Sequence, residues 1–477
     1  MARDVIVLEF NELTPALVDR FCDQGYLPNF AALHSRSIVA QTDAEAEHPH
    51  LEPWIQWVTI HTGLDHDQHG VFDLSDGPRL AEPRIWDLAS RSGKSVWICG
   101  SMNAAIQDER INGFILPDPW ASEIEAHPRG LFDPYNDVVR AYVQEYTAET
   151  VPVTRLALLR FARFMVANGL SLRTVIDTMK QLAGEVARPI KWKRAAILDR
   201  LQWDLFRRFY ERERPALSTI FLNSTAHYQH YFWRNMQPEL FTAVSDEETQ
   251  SRFGEAILFG YRKMDQLIGE AMAMAGPETA IVLATALSQR PMLDYEDSGG
   301  KQIFKMRDNS AFLAFAGVER ARYAPVMAEQ FHLFFDDEAD AIAAENKLGR
   351  LELDDGTPLM LVRRDGTRLF AGCSLVAPPA TGAKIRQRGS NATCNFETAF
   401  YPVEAVRSGM HDPAGILWIS TPDRRHSEIS RKVSLREIAP TLLALAGIET
   451  DHAFACPPMP EVMAPGELQA MQAPRAA

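Results

Sequence analysis

Short, mostly apolar runs separated by stretches of helical periodicity set the rhythm of this chain. The first run, Val5–Phe10, breaks only at Glu9 and closes on the polar pair Asn11-Glu12. Residues 95–100 (SVWICG), 217–223 (LSTIFLN), Ala280–Ala284 (AIVLA) and 415–420 (GILWIS) repeat the pattern. Such runs are too short for helices and too apolar for a solvated face, which predicts strands covered on both sides. Between them lie helical patterns. Thr14-Pro15 opens one over 16–24 that stops at Gly25, with Pro at the first position and Gly past the last. Residues 433–448 predict another amphipathic helix, ending at Gly447. Strands alternating with helices predict an α/β fold: a doubly wound, mostly parallel sheet. In such sheets, polar residues following a strand sit at the carboxyl edge, where ligands bind.

Two stretches interrupt the alternation. Residues 121–214 predict a helical, locally basic cap insertion, its cations including Arg155, Arg160, Arg163, Arg173, Lys180 and Arg188. It is either a solvated cap or a basic lid over an anionic substrate or membrane surface. Residues 319–404 predict a small β-rich accessory lobe. There, 349–353 and 359–364 flank Asp354-Asp355-Gly356-Thr357, a hairpin pattern, and Arg364-Asp365-Gly366-Thr367 marks a second hairpin turn. The α/β core then falls on 1–120, 215–318 and 405–463. The tail 464–477, rich in Ala, Pro and Gln, predicts disorder.

Composition narrows the function. With 46% hydrophobic residues among 477, the chain can bury a large core. A net charge of −14 disfavours nucleic acid and, for the surface as a whole, anionic membranes. Five scattered cysteines without a CxxC pair argue against a disulfide framework or a zinc ribbon. The N-terminus passes from Met1-Ala2-Arg3-Asp4 directly into the first strand, and no apolar stretch is long enough to span a bilayer. The expectation is a cytoplasmic protein without a transmembrane segment.

Three motifs carry a resemblance. Thr62-Gly63-Leu64 followed by His69-Gly70-Val71, Gln229-His230-Tyr231-Phe232-Trp233-Arg234, and Ser408-Gly409-Met410-His411 resemble the type I phosphodiesterase/nucleotide pyrophosphatase branch of the alkaline phosphatase superfamily. The segment 433–448 is similar to a helix shared with the sulfatases. The resemblance implies two divalent metals, usually zinc, held by Asp and His side chains and a nucleophilic Thr or Ser. Here the nucleophile's register falls on Pro53, beside Glu52. The first ligand Asp is Asn11, with Glu12 in a glycine's place. A second Asp position is Ala226, and 285–289 lacks the Asp-His pair. His230 and His411 remain. Two imidazoles do not neutralise two dications, so no dinuclear site is expected. A single divalent metal on His230 and His411, aided by Glu12 or His227, is what remains, with Asp73 as a further carboxylate able to swing in.

The altered positions stay polar, which predicts a re-equipped site for a small polar or saccharide-like substrate. Glu52, His230 and His411 are the candidate catalytic residues. Asn11, Glu12, Gln56, His61, Asn223, His227 and Gln289 are the candidate substrate contacts, with Ser224, Thr225 and Ser288 beside them and Trp54, Trp57 and Tyr228 as stacking faces. Glu52 is either a general acid–base or a carboxylate at a helix N-terminus. Residues 291–301, with Tyr295, Glu296 and Lys301, are either a surface loop or a mobile flap. Two functions follow: a diverged hydrolase or transferase acting on a phosphate-, sulfate- or sugar-bearing substrate, or an inactive relative that binds a ligand or protein.

Overall fold

The computed structural model describes residues 4–74, 76–107, 110–121, 123–144, 153–327, 329–403 and 405–463. The expected tail, 464–477, lies outside them. Six strands, β1 (Val5–Phe10), β2 (Ile38–Asp43), β3 (Val96–Cys99), β4 (Gly113–Leu116), β5 (Leu217–Leu222) and β6 (Ala280–Ala284), run the same way in one sheet. The strand Ala414–Ser420 runs against them, between β2 and β6. The spatial order is β2, Ala414–Ser420, β6, β1, β5, β3, β4, and two short strands, Ser427–Glu428 and Val433–Ser434, pair with β2. Ile6, Leu8 and Phe10 enter one core layer, and Val5 and Val7 the other, which is why the strand is apolar on both faces.

The helices follow in chain order: α1 (Pro15–Asp23), α2 (Pro28–His34), α3 (Pro53–Thr62), α4 (His66–His69), α5 (Ile85–Arg91), α6 (Asp133–Gln144), α7 (Arg155–Ala167), α8 (Leu172–Ala187), α9 (Arg194–Glu213), α10 (Ser224–Met236), α11 (Glu247–Phe253) and α12 (Ala256–Met274). Four sequence expectations change. The cap expected over 121–214 is divided: α9 sends Trp203, Phe206 and Phe209 into the sheet's core and serves as the crossover helix before β5. The helix expected over 433–448 begins as the strand Val433–Ser434. Ser434 then caps a 3₁₀ turn, and the α-helix itself spans only Ile438–Leu445. The first lobe hairpin closes only locally, Leu359 N–H donating to Leu351 O at 3.0 Å. Its strands then pair elsewhere, Leu351–Leu353 with Lys384–Gln387 and Met360–Asp365 with Arg368–Cys373. Asp73 stays away from the sheet edge, held by Arg368 at 3.0 Å where the lobe meets the core. No helix among the described residues is long and apolar enough to cross a membrane.

Because Ala414–Ser420 runs backwards, its N-terminal end meets the C-terminal ends of β1, β2, β5 and β6. Five segments distant in sequence therefore share one edge. The Thr-Gly turn beside it is scaffold. Gly63 ends α3 at φ 73°, Asp65 and Gln68 form a capping box on α4, and Gly70 ends that helix at φ 63°. A Cβ on Gly63 would stand 2.9 Å from the Phe454 ring. Gly63→Ala is therefore expected to lower stability by about 1–3 kcal/mol in a denaturant titration, through strained φ and steric overlap. An unchanged midpoint would show that the turn relaxes freely.

Candidate functional site

β1 ends with Asn11 N–H donating to Leu222 O at 2.9 Å, and the next residue, Glu12, turns to φ 60°. That left-handed conformation suits glycine and costs about 1–2 kcal/mol for any other residue. Glu12 is nevertheless fully buried there, and its surroundings hold it. Its backbone carbonyl accepts from Gln229 Nε2 at 2.7 Å, and Oε1 accepts from Asn11 Nδ2 at 2.8 Å. Oε2 accepts from Gln289 Nε2. His230 Nε2 lies 3.1 Å and His411 Nε2 3.5 Å from the same Oε2. Burial alone would raise this carboxyl's pKa, but the two imidazoles and the Gln289 amide outweigh it and bring it down to about 2.

The partners are positioned by their elements. Gln289 on strand β7 (Ser288–Pro291) sits directly opposite His411 in an antiparallel pair, so both side chains share a face. Ser408 N–H donates to His230 O at 2.7 Å, tying that ribbon to α10. Behind Glu12, Asn11 is fixed by Trp57 Nε1 at 2.9 Å and donates to Asn223 Oδ1 at 2.8 Å. Tyr261 O–H donates to Gln229 Oε1 at 2.6 Å.

The imidazole orientation is informative. His411 Nδ1 faces Leu51 O at 2.8 Å and His230 Nδ1 faces Gly409 O at 3.1 Å, so both Nδ1 atoms carry hydrogen and both Nε2 atoms point at Glu12. Burial brings His411 down to about 4 against the pull of Glu12, leaving a neutral ring with its Nε2 lone pair aimed at a carboxylate. One oxygen and two nitrogens lie within 4.8 Å of one another. Three electron-rich atoms converge stably only around a cation or a shared proton. An Nδ1–H bound to a main-chain carbonyl is also how metal-ligating histidines are usually oriented.

Glu52 stands at the mouth. Its backbone forms the N-cap of α3, but its side chain makes no capping hydrogen bond. The carboxyl lies 3.5 Å from His411 Nδ1 with 23% of the side chain exposed. Burial, joined by the Glu12 charge and opposed by Arg407, pushes it up to about 8, so it can hold a proton at neutral pH. Arg407 Nη2 lies 3.4 Å from His230 Nδ1. The sequence reading missed this arginine; its only signal was a cation two residues before Gly409.

The edge thus gathers Asn11, Glu12, Asn223, His230, Gln289 and His411, with Glu52 beside them. Other candidates fall elsewhere. His61 is buried in the opposite core layer, its Nε2 2.8 Å from Glu9 Oε1, whose Oε2 accepts from Ser101 at 2.6 Å. Gln56 is buried and donates to His50 O. His227 lies beside Tyr228 and Tyr231, lowered to about 4 by burial, and outside the Glu12 cluster. Trp57 and Tyr228 are fully buried and offer no stacking face, while the half-buried Trp54 donates its ring N–H to Phe72 O. In 291–301, Glu296 does not reach into the site; it is bound by Arg234 at 2.6 Å and by Thr242 N–H at 2.9 Å.

Among solved structures, the chain is similar to human ectonucleotide pyrophosphatase/phosphodiesterase 5, at 9% identity over 95% of this chain and 97% of that one, TM-score 0.44. It is also similar to alkaline phosphatase PafA, at 13% over 97% and 99%, TM-score 0.46. A third is phosphonoacetate hydrolase from Sinorhizobium meliloti 1021, at 12% over 94% and 96%, TM-score 0.40. No curated protein matches in sequence. The model of the type I phosphodiesterase/nucleotide pyrophosphatase family matches residues 5–350, and over that span the chain belongs to this family of the alkaline phosphatase superfamily.

Proposed function

We propose that this family member is a hydrolase of small phosphate- or sulfate-bearing esters that holds one divalent cation on Glu12, His230 and His411. The observation that carries the reading is the convergence of two Nε2 atoms and one carboxylate oxygen within 4.8 Å. Two imidazoles and a carboxylate suit zinc, which would supply Lewis-acid stabilisation of a phosphoryl or sulfuryl oxygen. One cation rather than two follows from charge. Asn11 and Ala226 stand in the registers of ligand aspartates, 285–289 has none, and Glu12 is the one carboxylate in the cluster.

The remaining residues take roles by position. Pro53 has no hydroxyl to form a covalent intermediate, so water attacks the phosphorus or sulfur directly. Glu52 moves the proton, taking it from water or giving it to the departing oxygen. Arg407 adds positive charge for an anionic substrate. Asn11, Asn223 and Gln289 orient Glu12 and so fix where the cation sits. Pro53 also favours a second reading, a relative that binds its ligand without turnover.

Protein purified without chelator is expected to hold one equivalent of zinc by elemental analysis. Glu12→Gln, with an unchanged circular-dichroism spectrum, is expected to weaken zinc binding by about 100-fold or more. Two equivalents would contradict the single-cation site. With nitrophenyl phosphate or a phosphodiester as substrate, Glu52→Gln is expected to lower kcat by about 10²–10⁴ while metal content stays the same. Full activity in that variant would remove Glu52 from the mechanism. Tight binding across a ligand panel with no turnover would favour the second reading.

A further inference from the structure

Helix α8 is amphipathic in the inverted sense. Its buried residue is Thr174, whereas Leu172, Val175, Ile176, Met179, Leu182 and Val186 are 74%, 40%, 43%, 63%, 43% and 91% exposed. Their spacing of three and four residues places all six on one face. Helix α7 repeats the arrangement: Met165 is buried, while Leu156, Leu159 and Val166 are 67%, 68% and 71% exposed. Scattered apolar side chains are normal on a surface, but a stripe along the length of α8, with further exposed apolar residues on α7, marks a contact surface.

Charge supplies an independent observation. The chain's net charge is −14, yet residues 155–194 contain nine Lys and Arg against only Asp177 and Glu185. Arg160, Arg173 and Arg194 are paired with Asp137, Glu270 and Glu185. Arg155, Arg163, Lys180, Arg188 and Lys191 are exposed, and among the described residues none has a carboxylate at ion-pair distance. The most basic part of an acidic protein is thus also its most exposed apolar part.

We propose that α7 and α8 seat on an anionic lipid surface. Their apolar stripes would enter the boundary between headgroups and acyl chains, and the surrounding cations would lie against lipid phosphates. The stripe on α8 extends over a 16-residue helix and protrudes at both ends, Leu172 and Val186 being among its most exposed residues. An exposed apolar stripe with dispersed cations beside it fits a fluid film with diffuse negative charge better than a partner that must supply a carboxylate opposite each one. The catalytic edge contributes no residue to this surface, so the proposal stands apart from the single-cation reading.

The test is co-sedimentation of the full chain with phosphatidylcholine vesicles and with mixed phosphatidylcholine–phosphatidylglycerol vesicles. Binding is expected on the mixed vesicles, weaker by about tenfold or more on phosphatidylcholine alone, and reduced by salt. The double substitution Met179→Glu with Val186→Glu, at positions too exposed to unfold the chain, should lower binding by about tenfold or more with an unchanged melting curve. Failure to bind the mixed vesicles, equal binding to both, or wild-type binding by the double variant would each overturn the proposal. A dimer in light scattering that the same substitutions dissolve would overturn it too, by assigning the stripes to a second copy.

Discussion

A carboxylate buried at the end of the central strand, in a backbone conformation that favours glycine, is the constraint around which the rest of this sheet edge is arranged. Glu12 is unstable in isolation on two counts, burial of charge and left-handed φ. Its retention of charge, at about 2, depends on the His230 and His411 imidazoles and the Gln289 amide, brought by α10, the segment before Ala414–Ser420 and β7. Asn11, Gln229 and Gln289 are therefore less a binding surface than a frame. They hold Glu12, and Trp57, Asn223 and Tyr261 hold them. Strain of this kind persists only where surrounding structure over-determines it.

Much of the fold was legible because buried parallel strands are apolar on both faces, a pattern that hardly occurs by chance. β1 and β6 appear at their expected positions, and α1 and Gly25 follow the expected punctuation. The reading lost accuracy where one pattern served two purposes. After the break at Pro189, α9 resumes the helical and basic pattern of the cap, so the sequence pattern alone does not separate it, with Trp203 and Phe206 facing the sheet, from the helices before it. His230 and His411 could be named from their motifs. Their meeting at Glu12 depends on the reversed direction of Ala414–Ser420, which single-sequence patterning does not encode. His61 was misplaced for a related reason. Glu9, the one acid within an apolar strand, was the signal that a buried partner existed, and His61 is that partner.

The molecule separates two surfaces by charge. At the carboxyl edge, polar groups converge inward on Glu12. On α7 and α8 the order is inverted, with apolar groups turned out and, among the described residues, Arg155, Arg163 and Lys180 exposed with no carboxylate at ion-pair distance. A protein that needed α8 only as a solvated cover would gain by exchanging Met179 and Val186 for polar residues, since their exposure contributes nothing to folding. The accessory lobe is fastened independently through Arg368, which binds Asp76 at 2.7 Å and Asp73 at 3.0 Å.

The central claim is that Glu12, His230 and His411 surround one cation. Anomalous diffraction at the zinc absorption edge, from crystals grown with zinc and no chelator, tests it most directly. A single anomalous peak is expected, bonded to the Glu12 carboxylate and to Nε2 of His230 and His411 at about 2.0–2.2 Å. A second peak of comparable height beside it, or no peak with His230 and Glu12 still in direct contact, would contradict it.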